Sequence, residues 1–201
     1  MYCKITMSIT AEHIERFFRA HTRTVLEKPQ LKKAAVLMLL YPKDGELSVL
    51  LTKRTDDVEH HKGQISFPGG SVDDDDADLV STALRESEEE VGLPHENLRV
   101  LGLLDDYETP SGFIVTPVVA YTDSLPPLSH NAVEVAEILE VPLAVFLDPS
   151  KERVEKRMRL GSLLDVYFYR FGQHEIWGAT AAILRAFLQS VRQANVDGPA
   201  R

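Results

Sequence analysis

Apolar residues recur along the chain with two different periods, and each period predicts a different kind of element. At residues 10–23 they place Ile14, Phe17 and Phe18 on one face of a helix, with Thr10 at its N-cap. An apolar helix face needs a cover in water. We therefore expect this helix to pack on a sheet or on a second subunit, the latter in a homodimer.

Shorter apolar runs predict strands. The run at 34–41 and the segment at 47–52 flank Pro42-Lys43-Asp44-Gly45, whose turn residues predict a β-hairpin. Further extended segments are predicted at 64–67, 98–104, 113–121, 133–141, 157–159 and 166–171, the last two as a second hairpin. Pro117 indicates an edge strand or a bulge, because proline has no N–H to donate to a sheet.

Helices are predicted where the apolar period is longer. One runs from 78 to 91, a short one begins at 142–147, and a closing helix with a broad apolar face runs from 180 to about 192. Strands and helices intermix without the regular alternation of a doubly wound sheet. The pattern therefore predicts an α/β fold in which a mixed sheet lies between helices.

The composition restricts the classes of partner. A chain of 201 residues suits one domain, and its formal net charge of -9 disfavours nucleic acid and anionic membranes, which reward basic patches. The longest apolar run, 34–41, is far shorter than the roughly 20 residues of a membrane helix. We expect neither nucleic acid nor a membrane as a partner.

The N-terminus and the single cysteine bear on location. Cys3 is the only cysteine, which excludes an internal disulfide and fits a reducing compartment. The N-terminus lacks a basic region followed by an apolar stretch, so a secretory signal is not expected. These features predict a cytoplasmic protein.

Carboxylates on the 78–91 helix are the main chemical feature. Glu86, Glu89 and Glu90 have the spacing i, i+3, i+4, which places them on one helical face, where they repel one another. A solvated acidic face is the simplest alternative, and it suits Glu88. Arg85 can orient a carboxylate, however, and oxygen ligands favour a hard divalent cation bound together with substrate phosphates.

The flanks of this helix strengthen the second interpretation. Gly92 and Pro94 close the helix as a C-cap and a stop. Upstream, Phe67-Pro68-Gly69-Gly70 predicts a turn whose backbone can approach a ligand closely.

These residues resemble the Nudix box, a glycine-led motif that ends in Arg-Glu-aliphatic-x-Glu-Glu-x-Gly-aliphatic. The matching residues are Arg85, Glu86, Glu89, Glu90, Gly92 and Leu93. Ser87 stands at the aliphatic position, Ala77 at the early glutamate position, and Gly70 is one residue further from Arg85 than in the standard box. Asp76 is the nearest carboxylate, and we predict that it is the helix N-cap.

The segment before the box resembles a narrower group. Leu50-Leu51-Thr52-Lys53-Arg54 followed by 63–70 is similar to the signature of Nudix coenzyme A diphosphatases, with Thr55 and Glu59 as departures from it. The similarity continues at 111–119, 131–143 and 176–180, and it covers roughly residues 30 to 190.

The resemblance implies an architecture. We expect a Nudix-type α/β/α sandwich with a mixed sheet and an added N-terminal helix. The predicted division is a helical extension at 1–29, a Nudix hydrolase domain at 30–192 and a disordered tail at 193–201.

The resemblance also implies the catalytic and metal-binding residues. Mg²⁺ or Mn²⁺ is the expected cofactor, with Glu86, Glu89, Glu90 and the Gly70 carbonyl as ligands. Catalytic roles are expected for Glu86, Glu89, Arg85 and Glu134. Glu86 is either a ligand or the base for the attacking water, and Glu134 is the choice among the three carboxylates of 133–140.

Substrate contacts are expected from the signature before the box. The predicted residues are Lys53, Arg54, Gly63, Gln64, Phe67, Gly69 and Gly70. Surface solubility accounts equally well for Lys53. His60 and His61 are either substrate contacts or an exposed pair in a polar loop.

Three functions follow, in order of preference. The first is a metal-dependent hydrolase of the diphosphate bond in coenzyme A or its derivatives, which gives 3',5'-ADP and an (acyl-)4'-phosphopantetheine. The second is a Nudix hydrolase of another nucleoside diphosphate derivative, such as a nucleotide sugar or a dinucleotide; Glu59 keeps it open. The third is a non-catalytic ligand-binding module, which the intact glutamates disfavour.

Overall fold

A computed structural model describes residues 9–55, 63–159 and 162–196. Three α-helices, one 3-10 helix and eleven strands form this part of the chain. In chain order they are α1 (Ala11–Ala20), β1 (Lys32–Lys43), β2 (Glu46–Arg54), β3 (Ile65–Ser66), β4 (Gly69–Ser71), α2 (Leu79–Val91), β5 (Arg99–Leu103), β6 (Tyr107–Glu108), β7 (Phe113–Tyr121), β8 (Val135–Pro142), the 3-10 helix Leu143–Leu147, β9 (Glu152–Arg159), β10 (Ser162–Phe171), β11 (His174–Trp177) and α3 (Ala179–Val196).

The main sheet is mixed, as predicted. Its central strand β1 pairs antiparallel with β2 through the predicted hairpin and parallel with β7. The order is β3-β2-β1-β7-β5, with β4 on β1, β6 on β7 and β8 on β2. Long connections join the parallel strands β1 and β7, and α2 lies within them.

Helices cover both faces of this sheet, which confirms the α/β/α sandwich. Alternate residues of β1 point to opposite sides. Leu37 and Leu39 belong to the apolar cluster that contains Ala83 of α2, whereas Met38 and Leu40 belong to the cluster that contains α1 and α3.

The N-terminal helix packs on its own chain. The Thr10 side chain accepts from the His13 N–H, and Ile14 and Phe17 are buried. The Phe17 ring meets Phe187 of α3 edge to face at a centroid distance of 6.1 Å. The main cover of this face is therefore α3 of the same chain, which was not among the predicted covers, and α1 ends at Ala20 rather than near residue 23.

Pro117 does not mark an edge strand, so that alternative is wrong, and the register shift in the pairing of β5 with β7 lies opposite Val119 and Ala120 rather than at Pro117. It lies opposite Val36 in the parallel pairing with β1. On its other side, β6 pairs with β7 as far as Val115 and the pairing of β5 with β7 starts at Val118. Between them, the Leu104 N–H donates to the Pro117 carbonyl at 2.9 Å. The missing N–H thus falls at the junction between two neighbouring strands.

The C-terminal part contains a second sheet. The predicted hairpin is β9 and β10, and β11 adds a third strand that the sequence pattern did not indicate. The closing helix runs to Val196, so residues 193–196 are helical rather than part of a tail. No helix in the described ranges is long and apolar enough to cross a membrane.

Candidate active site

The N-cap of the helix that carries the glutamates is Asp78, not the predicted Asp76, and the helix begins at Leu79. The Asp78 Oδ1 accepts from the Ser81 N–H at 2.8 Å, which satisfies one of the free N–H groups of the first turn. At the other end Gly92 has a φ of 62° and caps the helix as predicted. No basic residue lies in the last turn, so the negative end of the helix dipole adds to the charge of the glutamates.

Asp76 fixes Arg85 instead. Arg85 donates from Nε to Asp76 Oδ1 at 2.9 Å and from Nη2 to Asp76 Oδ2 at 3.0 Å, a bidentate pair with a carboxylate that is only 5% exposed. Arg85 Nη1 donates to Glu86 Oε1 at 2.9 Å and to Glu89 Oε2 at 3.3 Å. One guanidinium therefore connects Asp76 to two of the predicted catalytic carboxylates.

The displacement of this acid along the sequence explains why its role was missed. Asp76 also accepts from the Asp73 N–H and from Thr82 Oγ1, both at 2.9 Å. Hydrogen bonds from Arg85 and then from the Asp73 N–H hold the pKa of Asp76 well below its ordinary value. The signal in the sequence was an acid directly before Ala77, which stands at the early glutamate position of the box.

We expect Asp76→Asn to lower kcat by about one to two orders of magnitude, because Glu86 loses its fixed partner geometry.

Asp76→Asn should also change how the stability of the fold depends on pH. Because the pKa of Asp76 is lower in the folded than in the unfolded protein, its ionised form stabilises the fold above the unfolded pKa, and this contribution is lost as the pH falls. Melting curves between pH 7 and pH 3 test this, with Asp75→Asn as the exposed control. Parallel pH curves for wild type and Asp76→Asn would contradict it.

Glu90 is the most buried of the glutamates. Its side chain is 5% exposed, with Arg54 Nη1 at 3.6 Å and the Gly69 N–H donating to Oε2 at 3.3 Å. Burial raises its pKa from an ordinary 4.5 to about 7, although Arg54 and the Gly69 N–H oppose the shift. Its charge is therefore incompletely compensated by the residues around it.

Glu86 is half-buried beside Gly70. A Cβ on Gly70 would lie 2.3 Å from Glu86 Oε2, so the carboxylate occupies the space that any larger residue would fill. Burial raises the pKa of Glu86, its bonds with Arg85 lower it, and the charges of Glu89 and Glu134 raise it again.

Glu134 lies near these groups, although it is far away in the sequence. Its charge contributes to the raised pKa of both Glu86 and Glu90, after burial as the main cause. Glu89, by contrast, is 60% exposed and points along the helix surface toward Arg85. The four predicted carboxylates thus share one region, in which Glu90 is buried and Glu86 is half-buried.

The four carboxylates are candidate ligands of a divalent cation. In the described residues no three His, Cys, Asp or Glu side chains already converge as a metal-binding group. Arg85 contacts Glu86 and Glu89, while Arg54 contacts Glu90, so each of these carboxylates has an arginine partner. The excess of negative charge around the buried Glu90 and the all-oxygen donors fit a hard divalent cation, with Glu86, Glu89 and Glu90 as the side chains that would hold it.

The two glycines before the box form a strand rather than the predicted turn. Gly69 and Gly70 belong to β4, which pairs antiparallel with β1. Leu37 N donates to Pro68 O and Val72 N to Lys33 O, and alternate pairs of such a ladder are hydrogen-bonded. The pair of Ala35 and Gly70 lies midway between these two bonds and is therefore also a hydrogen-bonded pair. The Gly70 carbonyl thus faces β1, which argues against its predicted role as a metal ligand.

The predicted substrate residues separate onto two faces of the sheet. Arg54 lies on the α2 face, and its Nε is buried without a hydrogen-bond partner among the described residues. Lys53 lies on the opposite face, which it shares with Leu51 of the α1 and α3 cluster. Phe67 is 3% exposed and belongs to that same cluster. Of these three predictions, only Arg54 lies beside the carboxylates.

The remaining residues of the signature shape the backbone. The Arg54 N–H donates to the Gln64 carbonyl at 2.9 Å, and Gly63 has a φ of 63°, which favours glycine. Glu59, His60, His61 and Lys62 lie outside the described residues.

Comparison with known proteins identifies the family. The NUDIX domain model matches residues 31–160. An uncharacterized Nudix hydrolase NudL of Photorhabdus laumondii is 42% identical over 164 residues, which cover 80% of this chain and 86% of that protein. The NudL protein of Yersinia pestis is 41% identical over 160 residues, 80% of each chain.

Solved structures agree on the fold. The Nudix hydrolase RenU of M. smegmatis superposes with a TM-score of 0.55 at 21% identity, over 85% of this chain and 90% of that one. The MutT protein of Methanosarcina mazei gives 0.51 at 20% identity, over 85% and 99%. With the family model matching most of the chain, this protein belongs to the Nudix family and is a Nudix hydrolase, an enzyme of the diphosphatase class.

Proposed function

We propose that this Nudix hydrolase cleaves the diphosphate bond of coenzyme A or its derivatives and releases 3',5'-ADP and an (acyl-)4'-phosphopantetheine. The observation that carries the proposal is the position of Arg54. It ends the first half of the coenzyme A signature, and its guanidinium lies 3.6 Å from Glu90 with a buried Nε that has no partner in the described part of the chain. A phosphate oxygen is a suitable acceptor for that group.

Mg²⁺ or Mn²⁺ is the proposed cofactor, with Glu86, Glu89 and Glu90 as its ligands. A divalent cation bound there would neutralise the phosphoryl oxygens and align a water for attack. The buried, incompletely compensated charge of Glu90 supports this assignment.

The chain itself supplies the fixed geometry and the base. Arg85 orients Glu86 through the bond at 2.9 Å, and Asp76 fixes Arg85 in turn. The attacking water needs a proton acceptor, and Glu86 and Glu134 are the two carboxylates that suit this role. Arg54 binds a phosphate of the substrate.

Incubation of the purified protein with coenzyme A and Mn²⁺ or Mg²⁺ should release 3',5'-ADP, detected by anion-exchange chromatography and mass spectrometry. Chelation of the metal with EDTA should reduce the rate to background, and added Mn²⁺ should restore it, because buried carboxylates alone cannot neutralise the substrate. Cleavage of a nucleotide sugar or a dinucleotide with no coenzyme A product would favour the second function in the sequence prediction.

A further inference from the structure

We propose that Asn131 is a positioning residue that fixes Glu134 beside the carboxylates of α2. The inference rests on the proposed function, because it assigns a role within that reaction. It concerns the connection between Ser129 and Val135, the last part of the loop between β7 and β8, which is hydrogen-bonded to the end of α2 and to the end of β2.

One end of this connection is bound to α2. The Ser129 N–H donates to the Val91 carbonyl at 3.1 Å, and the Asn131 N–H donates to the Glu90 carbonyl at 2.9 Å. Carbonyls in the last turn of a helix have no partner within the helix, so these bonds satisfy them. The backbone of Asn131 is thereby tied to the residue whose side chain is the most buried of the glutamates.

The other end of the connection is bound to β2. Thr55 follows Arg54 directly, and its N–H donates to the Glu134 carbonyl at 3.0 Å. The Thr55 hydroxyl donates to the Val133 carbonyl at 2.8 Å. The backbone of Glu134 therefore has a fixed position relative to the strand end that carries Arg54.

Asn131 shapes the turn between these two attachments. Its side-chain Oδ1 accepts from the Val133 N–H at 3.1 Å, and its carbonyl accepts from the N–H groups of Glu134 and Val135 at 3.0 and 2.8 Å. A side-chain oxygen that accepts from the residue two positions later stabilises a turn of this kind. Glu134 is thus presented by a turn whose start is bonded to Glu90.

The position of Glu134 matters because it is one of the two carboxylates proposed as proton acceptor, and its backbone is held between the Glu90 carbonyl and the residue that follows Arg54. A carboxylate that takes a proton or completes the site has to remain within a narrow range of distance and orientation, and a shift of about 1 Å can cost about 100-fold in rate. Loss of the Asn131 side-chain bond would loosen the turn without removing any carboxylate.

Kinetics of matched variants test the proposal. We expect Asn131→Ala to lower kcat for the diphosphate substrate about 10- to 100-fold with a change in KM of less than about threefold. Asn131→Ser should recover most of the loss, because serine can accept from the same N–H. Asn97→Ala, the same change in an exposed turn after α2, should leave kcat unchanged. Normal kcat in Asn131→Ala would overturn the proposal.

A double variant separates positioning from general stability. If Asn131 acts through Glu134, Asn131→Ala should cause no further loss of kcat in a Glu134→Gln background. A loss of the same factor in both backgrounds would mean that Asn131 acts elsewhere, and it would refute the inference.

A readout without turnover distinguishes this proposal from the proposed function. In metal-free protein, the Glu134 and Val135 amides, which donate to the Asn131 carbonyl, should exchange with solvent at least about tenfold faster in Asn131→Ala than in the wild type, whereas Asn97→Ala should leave their exchange unchanged. Unchanged exchange of these amides in Asn131→Ala would contradict the positioning role even if the protein cleaved no diphosphate, which would by itself refute only the proposed function.

Discussion

Glu90→Gln should reduce turnover by about three or more orders of magnitude while the metal-free protein becomes more stable at pH 8. The loss of activity follows from the removal of a charge that the proposed cation needs. The gain in stability follows from burial, because Glu90 is 5% exposed and its pKa is raised from 4.5 to about 7.

The sign of the pH dependence follows from that shift. A carboxyl group with a raised pKa binds its proton more tightly in the folded state, so its contribution to stability is fully present below about pH 4.5 and is lost as the pH rises through about 7. A shift of this size corresponds to roughly 3 kcal/mol. Glutamine does not ionise, so the variant should exceed the wild type above pH 7 and match it near pH 4.

Denaturant unfolding at pH 4, 6 and 8 in the presence of EDTA measures this difference. Glu88→Gln is the matched control, since it makes the same change on an exposed side chain of the same helix, whose carboxylate lies 3.2 Å from His95 Nδ1. Added Mn²⁺ should stabilise the wild type and not Glu90→Gln. Near-normal turnover in Glu90→Gln, or a metal-free protein destabilised at pH 8, would remove the basis for the cation site.

Gly70→Ala should lower kcat by about 100-fold with little change in stability. The new Cβ would lie 2.3 Å from Glu86 Oε2, and this oxygen is at the far end of a side chain that can swing away. The fold therefore adapts, but Glu86 loses the position that Arg85 gives it. Steady-state kinetics and thermal melting of the same preparation measure the two effects.

The neighbouring glycine provides the contrast. In Gly69→Ala the Cβ would lie 2.5 Å from the Ala35 carbonyl oxygen, and the φ of 148° is one that side chains rarely adopt. Backbone cannot move aside as a side chain can, so we expect a loss of more than about 3 kcal/mol of stability. Gly112→Ala, with a φ of 87° and no atom within 4 Å, isolates the cost of the backbone angle. Similar stability losses in Gly69→Ala and Gly70→Ala would refute this account.

The elements of the fold could be predicted where the apolar period was regular. The hairpin of β1 and β2, strand β7 and helix α2 follow from short-range patterns, and so does the cap at Gly92. Periodicity gave less at β9 to β11, because β11 has four residues and too few apolar positions to show a period. Pro117 misled because a proline in the middle of a sheet is tolerated only where its neighbour strands change, and that junction is not local.

The candidate site divides in the same way. The spacing of Glu86, Glu89 and Glu90 is local, so one helix determines that they share a face. Lys53 and Arg54 are adjacent in the sequence and equally cationic, and only the pairing of β2 within the sheet decided that Arg54 faces the carboxylates.

The amino-acid sequence by itself determined the family, the mixed α/β architecture and the acidic face of one helix, because all three depend on residues close together in the chain. The tertiary structure decided which acid binds Arg85, which cation lies beside Glu90, and that Glu134 lies near Glu86. Some of these contacts join segments that are far apart in the sequence, and others depend on which of two adjacent residues faces the site. Both are set by strand register and burial, which no local pattern specifies.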